Sequence, residues 1–153
     1  MLIKYVMAFV MSLVLVSAVM AAGSSSSSSS STQRKSVDYE NGVKAVNSAD
    51  YIKAIKLLSK VVAAKPKDAD AWNYLGFSNR KLKRFDLALD AYQKALAINP
   101  KHRGAHEYLG ELYLQTDDLA NARKHLKRLD KICFFGCEEY DDLKAAILAY
   151  ENQ

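Results

Sequence analysis

A 34-residue period runs through the middle of this chain. Gly42, Gly76 and Gly110 keep that interval, and so do Ala54, Ala88 and Ala122. Tyr51, Phe85 and Leu119 repeat it, as do Leu58, Tyr92 and Leu126, and Pro66 with Pro100. Small residues, large apolar residues and breakers recurring in one register mark stacked supersecondary units. Each unit buries its apolar face only against its neighbours.

Within each period the apolar spacing is helical, and the small residues mark where two antiparallel helices touch. The predicted helices are 36–47, 51–64, 69–82, 85–98, 103–115 and 119–132. Asp50, Asp68 and Asp117 stand where an N-cap oxygen is wanted. Pro100 ends a helix, because proline lacks an N–H and restricts the residue before it. A seventh helix is predicted from the carboxylates Glu138, Glu139, Asp141 and Asp142 at its start. Tyr140, Leu143, Ile147 and Tyr150 give it one apolar stripe, suited to covering the open end of a stack.

The middle period, with Trp72-x2-Leu75-Gly76, Ala88-x3-Tyr92, Ala95 and Pro100, resembles the tetratricopeptide repeat. The third keeps Leu109-Gly110-x2-Tyr113 and Ala122, with His106 in the tryptophan position. The first keeps Gly42 alone at the signature positions of its first helix. The resemblance implies an all-α fold, a right-handed αα-hairpin solenoid of three units at about 36–68, 69–102 and 103–136. Residues 137–153 would form a capping helix. It also implies a groove lined by the first helix of each unit. Tyr39, Val43, Asn73, Phe77, Arg80, Glu107, Glu111 and Leu114 would face that groove. Their mix of aromatic, aliphatic and charged side chains suits an extended or helical peptide better than a small polar metabolite.

Ahead of the repeats, Lys4 precedes an uncharged run from Tyr5 to Ala22, which ends among small residues. That is the layout of a secretory signal peptide over 1–22, and it predicts an exported or periplasmic protein. An uncleaved anchor is the other reading of the same run, and membrane contact is expected only through it. Residues 23–35 contain eight consecutive serines, Ser24 to Ser31, and read as a flexible linker that cannot bury enough to order itself. The net charge of +5 is mild, and with export it argues against nucleic acid as a partner.

Cys133 and Cys137 are the only cysteines. In an oxidising compartment an even pair suggests a structural disulfide, with free thiols and redox chemistry as alternatives. The block Leu129 to Tyr140 resembles the C-terminal segment of a group of small exported bacterial repeat proteins, which implies no activity. His102 and His106 have a spacing that can share zinc, but His106 sits at a packing position and no further ligands are visible. His125 reads as solvated. No nucleophile constellation, phosphate loop or dinucleotide fingerprint appears. The expectation is therefore a non-enzyme with no cofactor and no metal, holding a protein or peptide partner in the envelope. A thiol–disulfide accessory role through Cys133 and Cys137, or a homo-oligomeric scaffold, are the rival readings.

Overall fold

The computed structural model describes residues 36–153. The signal-peptide expectation and the whole serine linker, residues 23–35, lie outside the described residues. All the elements among the described residues are α-helices. They are α1 (Val37–Asn47), α2 (Tyr51–Ala64), α3 (Ala69–Lys81), α4 (Phe85–Ile98), α5 (Arg103–Gln115), α6 (Leu119–Ile132) and α7 (Glu138–Glu151). Successive helices pair as α1–α2, α3–α4 and α5–α6, and α7 rests more on α5 than on α6.

The 34-residue register is written into the turns as well as the side chains. The only non-glycine residues with positive φ among the described residues are Ala49, Lys83 and Asp117, at 57°, 58° and 59°. Each closes the turn inside one hairpin. The following residue is the N-cap of the second helix: Asp50, Arg84 and Asp118. This corrects the assignment of Asp117 as a cap. Asp118 Oδ1 accepts from the Asn121 N–H at 3.0 Å, while Asp117 supplies the left-handed turn and accepts from the Tyr150 hydroxyl at 3.1 Å.

The joints between hairpins repeat too. The Trp72 indole N–H donates to the Pro66 carbonyl at 2.9 Å. One period later, His106 Nε2 meets the Pro100 carbonyl at 3.0 Å. His106 thus does the tryptophan's hydrogen bonding with a smaller ring. Asp68 and His102, also one period apart, cap α3 and α5 through Oδ1 and Nδ1.

The glycines mark the closest helix contacts. A Cβ on Gly42 would meet Leu58 at 2.9 Å, and one on Gly76 would meet the Tyr92 ring at 2.7 Å. Gly110 departs from the pattern, because its close neighbour is Leu143 of α7, at 2.5 Å, and not Leu126. Counted in the register, Tyr140 and Leu143 fall on the positions of Trp72 and Leu75. The cap therefore occupies the place of the first helix of a fourth unit, pressed against α5. Leu58, Tyr92, Leu129 and Leu143 are the largest apolar side chains fully shut from solvent, and they string the core along the stack.

Candidate partner-binding face

The side chains expected to line the groove come from matching positions of α1, α3 and α5. Val43, Phe77 and Glu111 are half-buried, whereas Tyr39, Asn73, Arg80, Glu107 and Leu114 are buried. The division has a physical cause. Arg80 donates to Glu111 across the α3–α5 contact at 2.5 Å, and its guanidinium lies over the Phe77 and Tyr108 rings at 5.4 and 5.6 Å. A planar cation that stacks and pairs at once is held in place. Arg80 therefore organises the face from beneath.

The same layer shifts several ionisations. Burial, and then the carboxylates Glu111, Asp142 and Glu139, push the Glu107 carboxyl up to about 8. Burial, with Glu107 and Glu111 behind it, pushes Tyr108 up to about 12. Both are driven mainly by desolvation, which disfavours the charged form. At neutral pH Glu107 is therefore largely a neutral carboxylic acid.

A track of aromatic rings runs along the face, buried at Tyr39 and half-buried from Tyr51 to Tyr108. Tyr39 meets Tyr74 edge-on at 6.2 Å, Tyr51 meets Phe77 at 6.1 Å, and Phe77 meets Tyr108 at 4.9 Å. A hollow of about 320 Å³ opens among Tyr51, Tyr74, Phe77 and Tyr108. A second, of about 540 Å³, lies beyond Arg80, between α3, α5 and α7, and its lining includes Glu111, Leu114, Ala149 and Tyr150. Sequence reasoning missed Tyr51, Tyr74, Tyr108 and Tyr150. Tyr74 and Tyr108 are one period apart and directly follow Asn73 and Glu107, so the register itself carried that signal.

Away from this face, Cys133 and Cys137 are joined, with Cα atoms 5.6 Å apart, within the range a disulfide needs. His125, expected to be solvated, is half-buried. Its Nδ1 lies 2.9 Å from Nδ1 of His106, and its ring stacks on Tyr113. His102 Nε2 meets Asp70 at 3.1 Å. Among the described residues no group of three or more His, Cys, Asp or Glu side chains is placed to hold a metal.

Residues 69–102 match the family model of the tetratricopeptide repeat. The fold is a tetratricopeptide-repeat solenoid of three units with a capping helix. Two curated relatives overlap the repeats. Tetratricopeptide repeat protein 37 of Xenopus laevis is 29% identical over 96 residues, covering 59% of this chain. PEX5-related protein of Mus musculus is 27% identical over 89 residues, covering 58%. The aligned parts are only 6% and 16% of those proteins. Among solved structures, the first repeat domain of Spaghetti (RPAP3), bound to the HSP90 peptide SRMEEVD, superposes with a TM-score of 0.66 at 23% identity. The match covers 75% of this chain and 91% of that one. A chain of the CopN–Scc3 complex superposes with a TM-score of 0.61 at 27% identity, covering 73% and 65%. The solenoid thus shares its architecture with proteins seen holding a peptide or a protein.

Proposed function

We propose that this solenoid is a non-catalytic binding module that holds a segment of a partner protein along the face of α1, α3 and α5, outside the cytoplasm. The observation that carries the reading is the half-buried aromatic track of Tyr74, Phe77 and Tyr108 over a fixed guanidinium. Aromatic side chains give large contact area for little rotamer entropy and dominate many binding hot spots. The second hollow, closed by α7, would receive one end of the segment. Its paired Arg80 and Glu111 offer hydrogen bonds for direction, while Leu114 and Ala149 offer an apolar floor. The solved complexes of similar fold support the class of function. The signal-peptide layout of residues 1–22 supports the compartment.

The test is selection of binding peptides from a displayed random library, followed by titration against two double variants. Tyr74→Ala with Tyr108→Ala should weaken the selected peptides at least tenfold, and Lys56→Ala with Lys60→Ala should leave them unchanged. Melting curves accompany both. A selected peptide indifferent to the tyrosine pair would move the site off this face. Intact mass of the exported protein tests the compartment, since a species retaining Met1 to Lys4 would make that segment an anchor.

A further inference from the structure

Phe134 and Phe135 are 86% and 96% exposed, although they are the two consecutive large apolar residues of the Cys133–Cys137 loop. Their rings pack edge-on against each other, 4.9 Å apart. Neither belongs to a core cluster of the solenoid. The tip is held in this form. The disulfide closes it, Gly136 turns it with φ at 86°, and the Gly136 N–H donates to the Cys133 carbonyl at 2.9 Å. A pair of rings fixed in water is an unpaid hydrophobic cost unless something covers them.

The neighbouring surface indicates what does. Lys124, Lys127, Arg128 and Lys131 stand at i, i+3, i+4 and i+7, so they share one face of α6. Together they line a hollow of about 300 Å³ that no acidic side chain enters. This cationic shelf climbs α6 to within two residues of Cys133. Acidic residues begin α7 just past the loop. Glu139 among them is paired with Arg103 at 3.4 Å, while Glu138 and Asp141 remain exposed. An apolar tip standing beyond a cationic shelf matches the layering of an anionic bilayer, where a charged headgroup zone lies over hydrocarbon.

We infer that the Cys133–Cys137 loop and the basic face of α6 form a docking surface for an anionic phospholipid bilayer. Phe134 and Phe135 enter the boundary between headgroups and acyl chains, and Lys124, Lys127, Arg128 and Lys131 take lipid phosphates. Glu138 and Asp141 stay on the water side, which fixes the tilt. This contact is separate from any anchoring by residues 1–22, and it leaves the aromatic face free for a partner.

Two measurements on the full chain test it. Co-sedimentation would use vesicles of phosphatidylcholine, with and without phosphatidylglycerol. Binding to the anionic vesicles should fall at least tenfold on Phe134→Ser with Phe135→Ser, and similarly on Lys124→Glu with Lys127→Glu and Lys131→Glu. All variants should keep the parent melting curve. Because residues 1–22 could partition by themselves, the second readout is local. Phe135→Trp should give indole fluorescence quenched by brominated anionic lipid, above the small background from Trp72 in the parent. An unquenched indole would overturn the inference. So would displacement from vesicles by millimolar inorganic phosphate, which would make the shelf a site for soluble anions. So would a dimer in sedimentation velocity that the double serine change dissolves, which would assign the tip to a second copy of the chain.

Discussion

The imidazoles of His106 and His125 meet nitrogen to nitrogen, Nδ1 to Nδ1, at 2.9 Å. His106 Nε2 faces the Pro100 carbonyl, so that nitrogen carries the proton and His106 Nδ1 must accept. His125 Nδ1 is then the donor. The pair joins the two helices of the third hairpin to the joint before it. Burial, followed by the charges of His106 and Arg128, holds His125 down at about 4, and burial also lowers His106.

Folded-state values below the ordinary histidine value make these groups a source of acid sensitivity. Their stabilisation is present above about pH 6.5 and is lost as pH falls toward 4, because the unfolded chain then binds more protons. Solvent screening at the partly exposed His125 reduces the effect to roughly 1–2 kcal/mol. Glu107 acts in the opposite direction. Its raised value withdraws stability as pH rises from the ordinary glutamate range through about 8. Single variants separate the two. His125→Gln should flatten the fall in melting temperature between pH 6.5 and 4.5. Glu107→Gln should gain on the parent by an amount that grows toward pH 8.5, on the order of 1 kcal/mol. Thermal melts across that range are the check, and parallel curves for parent and variants would refute both assignments.

Gly76 and Ala88 mark the tightest contact of the middle hairpin. Ala88 is wholly buried, and a methyl on Gly76 would strike the fully buried Tyr92 ring. Gly76→Ala should lower stability by about 1–2 kcal/mol even after its ~1 kcal/mol gain in helix propensity. Ala88→Leu should cost ~1–3 kcal/mol. Gly110→Ala should cost about as much as Gly76→Ala, since its Cβ would meet both methyls of the fully buried Leu143 at 2.5 and 2.7 Å. Denaturant midpoints of the three variants measure the costs.

Arg84 occupies an N-cap position that Asp50 and Asp118 fill in the other hairpins, and it makes no side-chain cap bond. A cation there also opposes the helix dipole. Arg84→Asp should restore the missing bond and raise stability by about 1 kcal/mol. Urea titration of the single variant is sufficient, and an unchanged midpoint would show that the cap position is already satisfied by water.

The Cys133–Cys137 bond closes a very short loop, so the chain-entropy argument assigns it only ~2 kcal/mol. Cys133→Ser should lower the melting temperature modestly while helical content holds. Thiol counting on protein isolated and denatured without reductant should find none, and two free thiols would remove the bond from the native protein.

Helix positions were legible because period and breakers repeat. The predicted spans agree with α1 to α6 within about a residue at each end, the usual spread of helix boundaries. What the register could not show is which side chains are consumed by neighbours. Arg80 reads as a free cation on a groove until Glu111, Phe77 and Tyr108 are seen around it. His125 reads as solvated until His106 is found against it. Adjacent aspartates hid the cap in the same way. Asp117 and Asp118 are chemically equal, and only the left-handed turn at 117 decides between them.

The recurring left-handed turn has a practical meaning for construction. Ala49, Lys83 and Asp117 share one dihedral although their side chains share nothing, and Trp72 and His106 hold the same carbonyl position with unlike rings. Each hairpin is therefore delimited by backbone conditions that its neighbours also satisfy. A copy of residues 67–100 spliced in after Pro100 keeps the breaker and left-handed-turn register at each seam, but it sets the first Arg80 against a copied Phe77 in place of Glu111, so a cassette that lengthens the array must carry a carboxylate at that copied position.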